Sequence, residues 1–185
     1  YGARALVVES GRLGGTCVNV GCVPKKVMWN AAQIAQAAHD ASHYGFDLTL
    51  NGHDWAALKR GRDEYVLRLN GIYERNLAGR KVDLVRGHAT MTGPGTIRVG
   101  ERVYEARNVV IATGGRPTVP MLPGAELGIT SDGFFGLAER PRRIAIIGSG
   151  YVSVELGGVF AALGTETTIV LRQDRVLRHF DPMLA

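Results

Sequence analysis

The chain has 185 residues, of which 45% are hydrophobic and 21% charged, with a formal net charge of +5 at pH 7. These proportions are ordinary for a globular protein, and no run approaches the ~20 apolar residues that a membrane-spanning helix needs. The basic residues are scattered, apart from arginine clusters at 140–143 and 172–178, which favours anionic small ligands over nucleic acid. Two cysteines are too few for a secreted domain held by disulfides.

The first apolar run, Ala5 to Val8, ends at Glu9 and predicts a buried parallel strand. In dinucleotide-binding units such an acid binds a ribose hydroxyl, about 20 residues after a first strand and its glycine-rich turn. No such strand precedes Glu9 here, and only one βαβ unit follows at the other end of the chain. We therefore interpret the sequence as a fragment of a longer protein.

Between these ends the pattern predicts helices first and strands later. Helices are expected from Pro24 to about Ser42 and from Asp54 to Leu77. Residues 81–110 predict short antiparallel strands with glycine turns, and NVVIAT at 108–113 predicts a buried strand that ends at a glycine pair. Three prolines at 116–123 indicate a linker, so we expect a domain boundary near residue 115.

The last part of the sequence predicts a second nucleotide-binding unit. A strand from Arg143 to Ile147 runs into Gly148-Ser149-Gly150, an apolar helix follows to Leu163, and a second strand covers Thr167 to Leu171. A Gly-x-Gly turn between strand and helix is typical of phosphate binding. The motif departs slightly at its third position, where Ser153 replaces the usual Gly or Ala.

The residues after this second strand bear on which nucleotide binds. An NAD site would place an acid there, whereas this chain has Arg172, Arg175 and Arg178. Cations at this position favour the 2′-phosphate of NADP. A solvated basic loop is the alternative.

Both cysteines lie in one short segment, GGTCVNVGCVPKK. Residues five apart in a regular helix point about 140° apart, so a Cys17–Cys22 disulfide needs the distorted backbone that Gly21 permits. Pro24 favours a helix start near Cys22, where the positive helix end and Lys25 favour a thiolate. The pattern favours a redox pair. The alternatives are two unrelated buried cysteines or, less favoured, a metal site, whose other candidate ligands lie a helix length away.

The segment GGTCVNVGCVPKKVMWNAA resembles the redox-active segment of the flavoprotein disulfide reductases. The resemblance continues in order through RGHA, VVIATGG, ITSDGFF, IIGSGYVSVELGG and LRQDRVLRHFD, and covers essentially the whole chain. Within this family CVPKK is typical of glutathione-type enzymes, whereas dihydrolipoamide dehydrogenases usually carry CIPSK. The resemblance implies an α/β fold with two incomplete Rossmann-like domains, for FAD (1–115) and NADPH (116–185), and an antiparallel β-meander insertion.

The resemblance also implies a role for each member of the redox segment. Cys22 would be the proximal thiolate against the flavin, and Cys17 the interchange thiol that attacks the substrate disulfide. Lys25 would lie near the flavin N5 and pair with Glu155. Tyr73 would line the glutathione site, although a tyrosine packed on a helix face is an equal alternative.

The other expected site residues would bind the two nucleotides. Glu9 would bind the adenosine ribose of FAD, and Tyr151 would cover the nicotinamide pocket. The remaining residues expected near FAD lie in turns and at strand ends: Gly14, Gly15, Thr16, His88, Ala89, Thr113, Gly114 and Gly115. Those expected near NADPH lie in the glycine turn and the basic loop: Gly148, Ser149, Gly150, Val152, Arg172 and Arg178.

The implied reaction is the reduction of glutathione disulfide by NADPH through FAD and the Cys17–Cys22 disulfide. The full-length enzyme would be a cytosolic homodimer, and a histidine–glutamate pair of the partner subunit would protonate the leaving thiol. No metal, nucleic acid or membrane partner is expected, and the fragment alone is expected to be inactive. Two alternatives remain: a relative that acts on trypanothione, thioredoxin or mercuric ion, and a catalytically silent redox sensor with a flavin fold.

Overall fold

The computed structural model describes residues 2–185, which form an α/β arrangement of helices and three small sheets. The strands are β1 (Leu6–Glu9), β2 (Asp83–Arg86), β3 (Ala89–Gly93), β4 (Thr96–Val99), β5 (Arg102–Glu105), β6 (Arg143–Ile147) and β7 (Glu166–Val170). The helices are α1 (Gly15–Val20), α2 (Cys22–Asp40), α3 (Trp55–Gly79), α4 (Ser131–Phe134) and α5 (Tyr151–Ala162), with short 3-10 turns at Ala41–Tyr44, Ala125–Leu127 and Pro182–Leu184. Within residues 2–185, no helix combines the length and apolarity that crossing a bilayer requires.

The first sheet contains the strand that was predicted before Glu9. β1 pairs in parallel with β2, with Leu6 opposite Asp83 and Glu9 opposite Arg86. The parallel strand is therefore confirmed, although its residues are only half-buried or exposed. The inclusion of β2 in an antiparallel meander was wrong. Helix α3 carries the chain back along the sheet before β2 begins, so β2 runs in the same direction as β1.

The predicted meander is confirmed for the next three strands. β3, β4 and β5 pair antiparallel in chain order, with a bulge between Met91 and Gly93. The predicted strand at 108–113 was wrong, because this stretch has no regular secondary structure and Val110 and Ile111 are 87% and 70% exposed. No strand within residues 2–185 pairs with its backbone. An apolar run without such a partner cannot satisfy its N–H and C=O groups as a strand.

The two long helices and the βαβ unit lie where the sequence predicts them. α2 begins at Cys22, and α3 begins after Asp54, whose carboxylate accepts a hydrogen bond from the N–H of Ala57 at 2.9 Å. In the C-terminal unit, α5 connects β6 to β7 along the chain. The two strands pair in parallel, from Arg143 opposite Glu166 to Ile147 opposite Val170.

Helices α2, α3 and α5 meet around one aromatic cluster. Trp55 of α3 stacks on Phe160 of α5, with ring centroids 5.8 Å apart and planes at 4°. Phe134 packs edge-on against both rings, and Trp55 Nε1 donates to the carbonyl of Leu137 at 3.0 Å. The buried members of this core are Met28, Ala32, Trp55, Phe134, Phe135, Leu156, Val159, Phe160 and Leu163. Residues on both sides of position 115 therefore share one core.

A buried cation, Arg62, reinforces the same junction. Its side chain is 1% exposed, and its Nη2 donates to the carbonyl of Phe135 at 2.6 Å while its guanidinium lies over the Phe135 ring. Asp63 supplies the counter-charge, with Nε of Arg62 donating to Oδ1 at 3.0 Å. Burial raises the pKa of Asp63, but hydrogen bonds from Lys59 and Arg62 outweigh it and hold that pKa below its usual value.

Candidate active site

The two cysteines lie on either side of a break between helices. Cys17 is in α1, Cys22 is the first residue of α2, and Gly21 alone separates the helices, with φ −144° and ψ −127°. A Cβ at Gly21 would lie 2.7 Å from the carbonyl oxygen of Thr16 and 3.1 Å from Cα of Cys17. Only glycine therefore allows the two helices to approach this closely, and the distortion predicted from the spacing is present.

The two thiols are free, exposed and close enough to interact. A side-chain hydrogen bond with Cys22 raises the pKa of Cys17, with further upward contributions from desolvation and from the charge of Cys22. Backbone N–H groups of Cys22 and Val23 act in the opposite direction, and the net shift is upward. The raised pKa favours the protonated form of the Cys17 thiol. Two thiols placed in this way are suited to thiol–disulfide exchange.

The structure brings Lys25 and Glu155 together, as expected from the resemblance. Lys25 Nζ lies 2.6 Å from Glu155 Oε1 across 130 positions of sequence, and the side chains are 27% and 38% exposed. Lys25 is three residues beyond Cys22 on α2, and Glu155 is on α5, which packs against α2. A half-buried ion pair therefore lies within one helical turn of the second thiol.

Glu9 is held at the end of β1 by the turn that follows it. Its Oε1 accepts a hydrogen bond from the N–H of Gly11 at 2.7 Å. Arg86, at the end of β2, donates through Nη1 to the carbonyl of Gly11 at 2.8 Å, so both strand ends contact one turn. Arg86 was not among the predicted site residues, although it opens the RGHA motif. The next glycines, Gly14 and Gly15, lead directly into α1.

The remaining residues expected near FAD are not joined to this turn. His88 and Ala89 are exposed where β2 gives way to β3. Thr113, Gly114 and Gly115 are exposed in the irregular stretch that follows β5. No hydrogen bond in the described part of the chain links them to Glu9 or to the Gly14-Gly15 turn.

The glycine turn of the second unit leads into the uncapped N-terminus of α5. Within residues 2–185 no side chain caps α5 at Gly150, so the first N–H groups of this helix are open to a ligand. Gly148 has φ 142°, and a Cβ there would lie 2.9 Å from Oγ of Ser153. The hydroxyl of Ser153 therefore lies beside Gly148, in the space that a Cβ at position 148 would enter.

The basic loop after β7 folds back over this turn. The N–H of Leu177 donates to the carbonyl of Ser149 at 2.7 Å, and Arg178 Nη1 donates to Gln173 Oε1 at 2.6 Å. A small open cavity of about 140 Å³ lies between the glycine turn and the basic loop. Its lining includes Ser149, Gly150, Tyr151 and Arg178. His179, which the sequence analysis did not single out, also lines it. Val152 is exposed in the first turn of α5, and Arg172 is exposed and outside the lining.

The sequence as a whole matches one known family. The sequence profile of the family described as pyridine nucleotide-disulphide oxidoreductase matches residues 1–185. The chain belongs to this family. It is 50% identical to a glutathione reductase of Schizosaccharomyces pombe over 194 residues, and 49% identical to a glutathione reductase of Yarrowia lipolytica over 198 residues. Each match covers 100% of this chain and 42% of the relative, so the chain spans less than half the length of these oxidoreductases.

Helices α1 and α3 carry the expected substrate residue and a pair of asparagines beside the redox segment. Tyr73, expected at the substrate, lies on α3 and is 44% exposed, so its ring is not part of the core. Asn19, between the two cysteines, and Asn70, on α3, join their side chains next to the redox segment. The sequence analysis missed both asparagines. Asn19 could have been noticed from its place in CVNVGC, but Asn70 carries no local signal.

Proposed function

We propose that the protein reduces glutathione disulfide with NADPH, using FAD and a disulfide between Cys17 and Cys22. The observation that carries this proposal is the placement of the two cysteines on either side of the helix break at Gly21, with a Lys25–Glu155 ion pair one helical turn away. The identity of about 50% to two glutathione reductases supports the choice of substrate. A disulfide that opens to two adjacent thiols can pass two electrons to a second disulfide by thiol exchange.

Two nucleotide-binding domains, residues 1–115 and 116–185, are part of the proposal. When bound, FAD would transfer electrons from NADPH to the protein disulfide. Glu9, already oriented by Gly11, would accept hydrogen bonds from ribose hydroxyls. Gly14 and the first two residues of α1, Gly15 and Thr16, would lie near the phosphates. Lys25 would stabilise negative charge on the reduced flavin, while Glu155 holds its ammonium in place.

The NADPH site would use the open end of α5 and the basic loop. The free N–H groups beyond Gly150 suit a pyrophosphate. Arg178 lines the cavity and would bind the 2′-phosphate, with Arg172 approaching from the exposed side. Tyr151, which is 59% exposed at the mouth of this cavity, would cover the nicotinamide.

The thiol chemistry would then proceed on the chain's own sulfurs. Cys17, as a thiolate, attacks one sulfur of glutathione disulfide, forms a mixed disulfide and releases one glutathione thiolate, which takes up a proton. Cys22 next attacks the sulfur of Cys17, closes the internal disulfide and releases the second glutathione. The raised pKa of Cys17 means that a base is needed for the first step. The resemblance assigns protonation of the leaving glutathione thiol to a histidine–glutamate pair of the partner subunit, so a cytosolic homodimer is part of the proposal.

The test is NADPH oxidation by the whole protein with glutathione disulfide as substrate. Wild type should turn over, whereas Cys17→Ser and Cys22→Ser should lose turnover and still bind FAD. Parallel assays with trypanothione disulfide, oxidised thioredoxin and mercuric ion test the substrate. Faster turnover of one of these would reject glutathione. A flavoprotein that reduces none of them would reject the enzymatic proposal in favour of a redox sensor.

A further inference from the structure

Asn19 connects the redox helix to the loop before it. Its Nδ2 donates to three carbonyl oxygens, those of Gly15 at 2.9 Å, Leu13 at 3.1 Å and Arg12 at 3.4 Å. The side chain is therefore bent back along the loop that leads into α1. Asn19 lies two residues after Cys17, so these hydrogen bonds hold the backbone segment that carries the first thiol.

Asn70 connects the same loop to α3. Its Nδ2 donates to the carbonyl of Leu13 at 2.7 Å and to Oδ1 of Asn19 at 3.0 Å, across 51 positions of sequence. This orientation of the amide is dictated by its neighbours, because the flipped form would place oxygen against two acceptors. It leaves Oδ1 of Asn70 buried without a hydrogen-bond partner among the described residues.

These contacts matter because α1 is short and only one of its side chains, Val18, is buried. The helix has six residues, and Gly21 joins it to α2 without any side chain of its own. In the oxidised protein, the disulfide itself would tie α1 to α2. Once that bond is open, the position of Cys17 relative to Cys22 depends on the backbone at Gly21, on the packing of the buried Val18 and on the anchor from Asn19 and Asn70 to α3.

We propose that Asn19 and Asn70 form a positioning pair that keeps Cys17 beside Cys22 in the reduced protein and so sets the redox potential of the thiol pair. This inference rests on the proposed function, because it requires that the two cysteines form a disulfide. The equilibrium between dithiol and disulfide depends on the effective concentration of one thiol at the other. If α1 moves more freely relative to α2, this effective concentration falls and the dithiol form is favoured.

The test is the redox equilibrium of the thiol pair in the whole, FAD-loaded protein. Wild type, Asn19→Ala, Asn70→Ala and the double variant are equilibrated with mixtures of reduced and oxidised dithiothreitol, quenched in acid, alkylated and weighed. Each protein disulfide that opens takes two electrons and two protons from one dithiothreitol, which closes to its cyclic disulfide. Asn76→Ala, an exposed asparagine on the same helix, is the matched control.

We expect each single variant to weaken disulfide formation about tenfold, which makes the potential about 30 mV less negative. The double variant should shift no further than the larger single variant, because the two amides act as a unit. Asn76→Ala should keep the wild-type potential. If Asn70→Ala fails to fold, Asn19→Ala carries the test.

Different results would overturn the proposed function and the positioning pair. A wild-type protein that shows two free thiols in every buffer would overturn the proposed function, and this inference with it. A wild-type protein that forms the disulfide, together with folded asparagine variants that keep its potential, would overturn the positioning pair alone. A shift of equal size in Asn76→Ala would overturn it as well, because the effect would then belong to α3 in general.

Discussion

The ion pair between Lys25 and Glu155 gives the sharpest test of how the two halves of the chain cooperate. Nζ and Oε1 are 2.6 Å apart, and the side chains are 27% and 38% exposed. An exposed pair contributes about 0–1 kcal/mol, and removing one partner of a fully buried pair costs about 3–5 kcal/mol. A pair that is about a third exposed falls between these limits, at about 1–2 kcal/mol for each single variant.

We expect this loss to appear in the rate at which NADPH reduces the bound flavin. Lys25→Met and Glu155→Gln should each slow this step about 5- to 30-fold, which corresponds to 1–2 kcal/mol in the barrier. The double variant should lose less than the product of the two, with a coupling energy of about 1 kcal/mol. Stopped-flow absorbance measures the step directly, and thiol exchange with glutathione disulfide should change much less.

A second ion pair in the chain provides a matched control. Lys59 Nζ and Asp63 Oδ2 on α3 are also 2.6 Å apart, with side chains 27% and 42% exposed. Lys59→Met should lower the free energy of unfolding by a similar amount and leave flavin reduction at the wild-type rate. Strictly multiplicative losses in the Lys25–Glu155 cycle, or an equal slowing in Lys59→Met, would refute the argument that this pair acts beside the flavin.

Three further outcomes follow from charges in the structure. Replacing Arg172 and Arg178 should cost NADPH at least about a hundredfold in kcat/KM and leave NADH nearly unchanged, because each charged contact to a phosphate contributes about 1.5–3 kcal/mol; equal losses would assign the arginines to the fold. Cys22→Ala removes the contact that raises the pKa of Cys17, so the pH midpoint for alkylation of Cys17 should fall, and an unchanged midpoint would contradict the contact. Because the pKa of Asp63 is lowered in the folded protein, its carboxylate contributes stability that is present above the pKa of an unfolded aspartate and is lost as pH falls through the folded pKa. Asp63→Asn should therefore flatten the acid limb of a curve of unfolding free energy against pH, relative to wild type.

Local sequence was sufficient for elements whose ends carry their own signals. The start of α2 at Cys22 follows from Pro24 at the third helical position, and the βαβ unit follows from Gly148 and Gly150 between two apolar strands. The position of Gly21 between the thiols predicted a distorted backbone, and the structure has a helix break there.

Partners that are distant in sequence could not be predicted in the same way. The strand expected at 108–113 has the composition of a strand, but its state depends on whether another strand pairs with it. The pairing of β2 with β1 depends on the direction in which α3 returns the chain. Arg62 and Asn70 look like ordinary polar residues of a long helix, because their roles come from Phe135 and Leu13 on other elements.

The shared aromatic core also has a consequence for how the protein is made. Trp55 meets its stacking partner Phe160 only after roughly 100 further residues have been synthesised, which takes about 5–20 s at ordinary translation rates. During that interval α2 and α3 can form, but the apolar faces that carry Met28 and Trp55 have no α5 to cover them. On the ribosome the first half of the chain therefore passes through a long-lived stage with exposed apolar surface, which is a natural point for a chaperone to bind.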